Sequence, residues 1–320
     1  MPARITVLAG LLTVLAVLLG RQPAAGAASA SLPCERPGWY PTSFGLKDHD
    51  VFWYDGYYYI IANDVPGEDR FAYGRSKDLC AWEELSPVLP QRTPGAADER
   101  AVWAPNVLQE GDTFYLYYTG VTLEFTQRIL LAETKTPSDP ASWQPKGTVF
   151  QPDHPGMLWQ DKTFADSRDP SVLKADGLYY LYYTGRDTSG GILGLSSATS
   201  PDGPWKDWGA VVSVPAEAGM LESSTILRYE GLYYLFYHQT DRGERYRIGP
   251  SPAGPWSPTY SLGPGWAHKI WQGQDQITYT SYLTTNVINI AHLNWDTFYS
   301  PPRPFIGDQL YRLNLPFIIQ

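Results

Sequence analysis

A hairpin that recurs along the chain leaves few folds open to it. Ala165 to Gly185 reads ADSRDPSVLKADGLYYLYYTG. Ser171-Val172-Leu173 opens an extended run, Asp176-Gly177 forms a tight turn, and Tyr179 to Thr184 returns as an aromatic strand. Asp-Gly between strand-forming runs marks a two-residue hairpin, because the favoured turns need positive φ. The unit recurs with turns at Asp55-Gly56, Gly111-Asp112 and Glu230-Gly231, and weakly at Gln274-Asp275. In register, Tyr59, Tyr115, Tyr180, Tyr234 and Thr278 are equivalent. Five all-strand units at such a period predict an all-β chain, a five-bladed β-propeller of four-stranded blades.

A second signature follows each of the first four hairpins, a turn and then a Trp: Trp82, Trp143, Trp205 and Trp256. Pro, Asp and Gly in those turns preset φ or tolerate positive values. Each Trp is expected to start an outer strand and to pack between blades. The irregular residues 31–44 are expected to supply a closing strand for the last blade. Unit two carries a longer excursion, Gln151–Lys162, and inserted loops are where binding residues tend to sit.

Arg4 precedes an apolar run from Ile5 to Leu19, and Ala28-Ser29-Ala30 offers a small-residue cleavage site. Residues 1–30 are therefore predicted to be a secretory signal peptide, too short to span a bilayer. The propeller is assigned to residues 31–320 and the protein to the extracellular space. Cleavage would remove Arg4 and Arg21 and take the formal charge from −9 to −11. A surface that acidic argues against nucleic acid or anionic lipid as partner. Cys34 and Cys80, the only cysteines, are expected to pair in an oxidising compartment.

The informative acids precede the first strands. Asp48, Asp169 and Glu222 fall at or near one repeat position, which Ala104 and Ala267 fill in units two and five. The first strand of a propeller blade lines the axis, so these acids should meet at one mouth of the channel. Carboxylates sharing a pocket repel, and their pKa values separate, as acid/base chemistry requires. Asp50 rivals Asp48, since alternation puts both on one strand face. Asp166 rivals Asp169.

With Trp103-Ala104-Pro105, Arg168-Asp169-Pro170, Glu222 and His268 in this order, the sequence resembles the five-bladed propeller glycosidases, above all glycoside hydrolase family 43, with family 32 as a relative. The resemblance implies a glycoside hydrolase with Asp48 as general base, Asp169 as the residue that tunes the acid and orients substrate, and Glu222 as general acid. It implies inversion, with water admitted between base and acid. It also suggests an axial His268 near a structural calcium ion or water cluster, and otherwise no cofactor. His49, Trp103, Asn106, Trp159, Arg168 and Trp266 are the expected sugar contacts.

The reading is thus a secreted enzyme acting on arabinose-, xylose- or galactose-containing plant carbohydrate. The alternatives are a retaining, family 32-like β-fructosidase and a propeller that binds glycans without cleaving them.

Overall fold

The computed structural model describes residues 32, 34–89 and 93–307. The expected signal peptide lies outside them. Among the described residues the chain is β-sheet with two 3-10 turns, and no helix is long and apolar enough to cross a membrane.

After the two-residue β1 (Gly38–Trp39), the strands run in order. Blade one is β2 (Gly45–Tyr54), β3 (Tyr57–Val65), β4 (Phe71–Ser76) and β5 (Trp82–Val88). Blade two is β6 (Ala101–Glu110), β7 (Thr113–Val121), β8 (Gln127–Thr134) and β9 (Gln144–Phe150). Blade three is β10 (Ser167–Ala175), β11 (Leu178–Asp187), β12 (Gly190–Ala198) and β13 (Lys206–Val214). Blade four is β14 (Leu221–Tyr229), β15 (Leu232–Gln239), β16 (Gly243–Gly249) and β17 (Tyr260–Gly263). Blade five is β18 (Trp266–Gln272), β19 (Thr278–Thr284) and β20 (Val287–Asp296), with β21 (Arg303–Ile306) also pairing β20.

Blades one to four are antiparallel meanders in strand order. Blade five is completed from the other end of the sequence, where β1 pairs with β20 through Gly38↔Asn289 and Trp39↔Ile288. The expected closing strand is therefore present, and it joins the first blade's chain to the last blade's sheet. Just before it, Cys34 is bonded to Cys80 of blade one.

The turns form as their residues dictate. Asp55-Gly56, Asp176-Gly177 and Glu230-Gly231 all have positive φ at both positions, the geometry that matches the twist of the flanking strands. Between blades the alternation of the second strands does the work. Tyr58, Ile60 and Ala62 pack toward blade five, while Tyr59 and Ile61 pack toward blade two. Each of the five blade interfaces has its own apolar cluster.

Of the Trp signature, Trp82 starts β5 and Trp143 and Trp205 immediately precede β9 and β13, while Trp256 stands four residues before β17. Trp143 is buried between blades one and two. Three of the turns before these Trp residues, and the Pro301-Pro302 segment before β21, have a further use. Tyr73 donates to the Pro137 carbonyl at 2.8 Å, Tyr117 to that of Pro201 at 2.5 Å, Tyr182 to that of Pro252, and Tyr234 to that of Pro302 at 2.8 Å. Each bond joins one blade to the next, so a buried phenol is satisfied by a carbonyl that the Pro turn leaves unpaired.

Candidate active site

The first strands β2, β6, β10, β14 and β18 pack side by side in a closed ring. Each carries a bulge near its start: after Lys47 in β2, Trp103 in β6, Arg168 in β10, Glu222 in β14 and Trp266 in β18. A bulge adds one residue to one strand and re-aims the side chains around it. Ala104, Asp169, Ser223 and Ala267 take positive φ there.

The bulges sort the axial residues into tiers. Lys47, Trp103, Arg168, Glu222 and Trp266 form the mouth. Asp48, Ala104, Asp169, Ser223 and Ala267 form the tier below. Asp50, Asn106, Ser171, Thr225 and Lys269, each the second residue past that tier, form the floor. This corrects the register of one acid. Glu222 is not the counterpart of Asp48 and Asp169; Ser223 is, and Glu222 stands one residue earlier, level with Arg168. The mouth therefore places Glu222 above two aspartates rather than beside them.

The tiers converge. A cavity of about 200 Å³ is lined by all five mouth residues together with Asp48, Asp169 and Ser223. Asn63 and Glu68 complete it. Trp103, Arg168 and Trp266 thus stand where sugar contacts were expected.

The acids are held differently. Asp169 accepts from Ser223 N at 2.9 Å and from Thr184 Oγ1 at 3.2 Å, while its own N–H donates to Thr119 Oγ1 at 3.1 Å. Its pKa is raised by burial and by Glu222, against the lowering by Arg168. Asp48 is pushed up to about 7, chiefly by burial and then by the charge of Asp169; the Lys269 ammonium opposes this. Glu222 Oε1 accepts from Arg168 Nη2 at 2.5 Å. The same guanidinium bonds Asp166 and has Asp169 Oδ2 3.8 Å from Nε. Arg168 is therefore the cation shared by three carboxylates.

Four of the expected residues do not line the cavity. His49 is fully buried, with Nε2 2.7 Å from Ser281 Oγ, burial drives its pKa down to about 3, and it does not line the cavity. Asn106 spends its amide inside the hub: Nδ2 donates to Asp50 Oδ2 at 2.9 Å and Oδ1 accepts from Val172 N at 2.8 Å. Trp159 lies outside this cavity, with Nε1 bonded to the Gln127 carbonyl at 2.8 Å and Arg128 over its ring. His268 has protein partners at both ring nitrogens. Its Nδ1 is 2.7 Å from Thr280 Oγ1, its Nε2 is 3.0 Å from the Pro264 carbonyl, and its ring stacks on Tyr282.

The rival acids are accounted for as well. Asp50 Oδ1 accepts from Val51 N at 2.9 Å, and Oδ2 from Val107 N at 2.6 Å as well as from Asn106. Asp166 is buried between Arg168 and Arg186, the latter at 2.7 Å.

A calcium ion does not fit this hub. Calcium takes oxygen ligands, yet both Asp50 oxygens are occupied and the floor already carries the buried Lys269 ammonium, whose charge acts on Asp48, Asp50 and Asp169. Among the described residues no group of three or more His, Cys, Asp or Glu side chains could hold a metal ion.

Lys47, Asn63, Glu68 and Lys269 were not anticipated. Glu68 anchors the mouth, accepting from Lys47 Nζ at 3.1 Å and from Trp103 Nε1 at 2.9 Å. Asn63 Oδ1 accepts from Ala104 N at 3.0 Å. The available signals were a polar Asn-Asp ending an otherwise apolar strand and a Lys beside the first acid.

Residues 42–163 match the family model described as Glycosyl hydrolases family 43. An extracellular endo-α-(1→5)-L-arabinanase from Bacillus subtilis is 30% identical over 153 residues, 45% of this chain and 44% of that protein. The chain matches about half the length of such curated relatives. Among solved structures, an exo-1,5-α-L-arabinanase from a bovine ruminal metagenomic library superposes with a TM-score of 0.63 at 21% identity, covering 82% of this chain and 97% of that one. A fructan 1-exohydrolase from Cichorium intybus superposes with a TM-score of 0.68 at 19% identity, over 85% of this chain and 59% of that one. In sequence over residues 42–163, and in fold over most of its length, the chain is similar to the family 43 propeller glycosidases.

Proposed function

We propose that this family 43-like propeller is a secreted glycoside hydrolase that cleaves α-1,5-linked arabinofuranose chains of plant polysaccharide by inversion. The observation that carries the reading is the single cavity shared by Asp48, Asp169 and Glu222. The arabinan preference rests on the relatives, several of which are named for that substrate. Secretion rests on the N-terminal apolar segment, on the Cys34–Cys80 bridge and on the extracellular relative.

In this scheme Asp48 takes a proton from water as the water attacks the anomeric carbon. An acid whose ionisation is displaced to about 7 is well matched to that task near neutral pH. Glu222 donates a proton to the departing oxygen. In the free protein Glu222 Oε1 is occupied by a hydrogen bond from the Arg168 guanidinium. The acid role therefore needs Arg168 to let go as the sugar arrives. Asp166 and Asp169, on the same guanidinium, can keep its charge compensated meanwhile. Trp103 and Trp266 offer apolar faces to the ring, and Glu68 fixes the first of them. No metal enters the scheme.

The test is proton NMR of an arabino-oligosaccharide digest at early times. Inversion gives the β-anomer of the new reducing end first. A first-formed α-anomer would replace the scheme by a covalent, family 32-like one. No turnover on arabino-, xylo-, galacto- or fructo-oligosaccharides would leave a glycan-binding propeller.

A further inference from the structure

A second cavity lies outside the candidate active site. About 450 Å³ of groove opens between blades three and four, more than twice the volume of the acid pocket. Its walls include Leu158, Arg186, Asp187, Ser189, Glu217 and Met220. The groove is built from three stretches of chain. The β11–β12 hairpin gives Arg186 to Gly191. The loop from β13 to β14 gives Pro215 to Met220, and the insertion gives Leu158. The insertion is fastened to the hairpin, since Leu158 N donates to the Arg186 carbonyl at 3.0 Å and Thr188 N to that of Gly156 at 2.9 Å. The excursion singled out in the sequence thus walls this groove and not the acid pocket.

The groove floor depends on glycine. A Cβ on Gly190 would stand 2.3 Å from the Val214 carbonyl, and one on Gly191 would stand 2.9 Å from that of Gly219. Only with both positions bare do the hairpin and the following loop come together under the groove.

Groove and acid pocket meet at one strand entry. Met220 lines the one and Glu222 the other, two residues apart on the same strand entry. Arg186 of the groove bonds Asp166, which bonds Arg168, which bonds Glu222. A chain leaving the acid pocket past Glu222 would run into the groove.

We infer that the groove is a second carbohydrate site, holding the leaving-group side of a neutral oligosaccharide whose scissile bond lies at Glu222. The inference rests on the reading of Glu222 as the acid. The chemistry of the walls sets the ligand class. Exposed Leu158 and Pro215 with half-buried Met220 give apolar surface, while hydroxyls and both signs of charge lie between them. This mixture suits a sugar, which has apolar faces and polar edges. Arg186 is already committed to Asp166, and Asp187 and Glu217 leave the remaining field negative, so a uronic acid chain is disfavoured. A groove of this size on one side of the acids favours substrates that extend beyond the cut, rather than a capped, end-only pocket.

The test uses the full chain carrying Glu222→Gln, so that ligands are bound but not consumed. Arabino-, xylo- and galacto-oligosaccharides of one to eight units, and oligogalacturonates, are titrated by calorimetry. Affinity for one neutral series should rise about tenfold or more with length as the chain reaches the groove. Ala216→Trp at the exposed lip, or Thr188→Trp on the opposite wall, should remove that rise and leave the shortest ligands unchanged. Flat length dependence, a rise that survives both variants, or a preference for galacturonate overturns the inference. Short aryl arabinosides separate the two readings. Their hydrolysis by the Glu222 protein without a length effect keeps the enzyme and sinks the groove. A length effect that both wall variants remove, without any hydrolysis, keeps the groove and sinks the enzyme.

Discussion

Replacing the acid proposed as base should make the protein more stable. Asp48 is ionised only at a cost, because burial and the neighbouring Asp169 displace its pKa from 3.8 to about 7. The unfolded chain carries no such burden. Between these values the native state holds a proton that the unfolded state has lost, so stability falls as pH rises through this window. Each pH unit of displacement is worth ~1.4 kcal/mol, which puts the burden at roughly 4 kcal/mol above pH 7. Part of it will be relieved by water in the cavity, so Asp48→Asn is expected to gain about 2–4 kcal/mol at pH 8. For a domain of this size that is a rise in Tm of ~4–8 °C. Below pH 4 both Asp48 states are protonated and the gain should vanish. The assay is thermal unfolding of wild type and Asp48→Asn, followed by circular dichroism from pH 3.5 to 8. A gain independent of pH, or none at pH 8, would refute the account of the buried acid. Activity should fall by ~10²–10⁴-fold in the same variant, the trade expected where a site holds charge against burial.

Other outcomes follow from the same geometry. The pH profile of kcat/KM should lose activity as pH falls through about 7, where Asp48 gains its proton. Lys269→Met should move that limb upward by roughly 0.5–1.5 pH units, since a cation that favours ionised Asp48 is gone; an unmoved limb would remove Lys269 from the account. Cys34→Ser should lower stability by about 2–5 kcal/mol while leaving kcat of the folded protein unchanged, read by urea unfolding and initial rates. Trp143→Ala should cost about 3–5 kcal/mol by opening a cavity between blades one and two, again without touching KM.

Much of this architecture is written in local pattern. Tight polar turns before aromatic strands, five in register and two of them Asp-Gly, name both the hairpins and their number, and Trp before the outer strand marks the blade interfaces. The converging acids were legible for the same reason, since a repeat makes a register. Register was also where reading failed. Bulges in the first strands decide which neighbour faces the axis, and no residue type announces a bulge; Ala104, Asp169 and Ser223 share one backbone conformation with different side chains. Glu222 therefore fell one position from its assigned slot. His49, Asn106 and His268 failed differently. Each is a polar residue near the axis whose hydrogen bonds are spent within the protein, and sequence shows the polar group but not its partner. Lys47 and Lys269 went unnoticed because isolated lysines ordinarily lie on the surface.

The most direct measurement is the rate of hydrolysis of linear α-1,5-arabinan by wild type and by Asp48→Asn, Asp169→Asn and Glu222→Gln, each checked for native circular dichroism. Turnover by the wild type with a loss of ~10²-fold or more in all three variants is the predicted result. A folded variant of any one of them that keeps the wild-type rate would contradict the claim that these carboxylates act as one catalytic set.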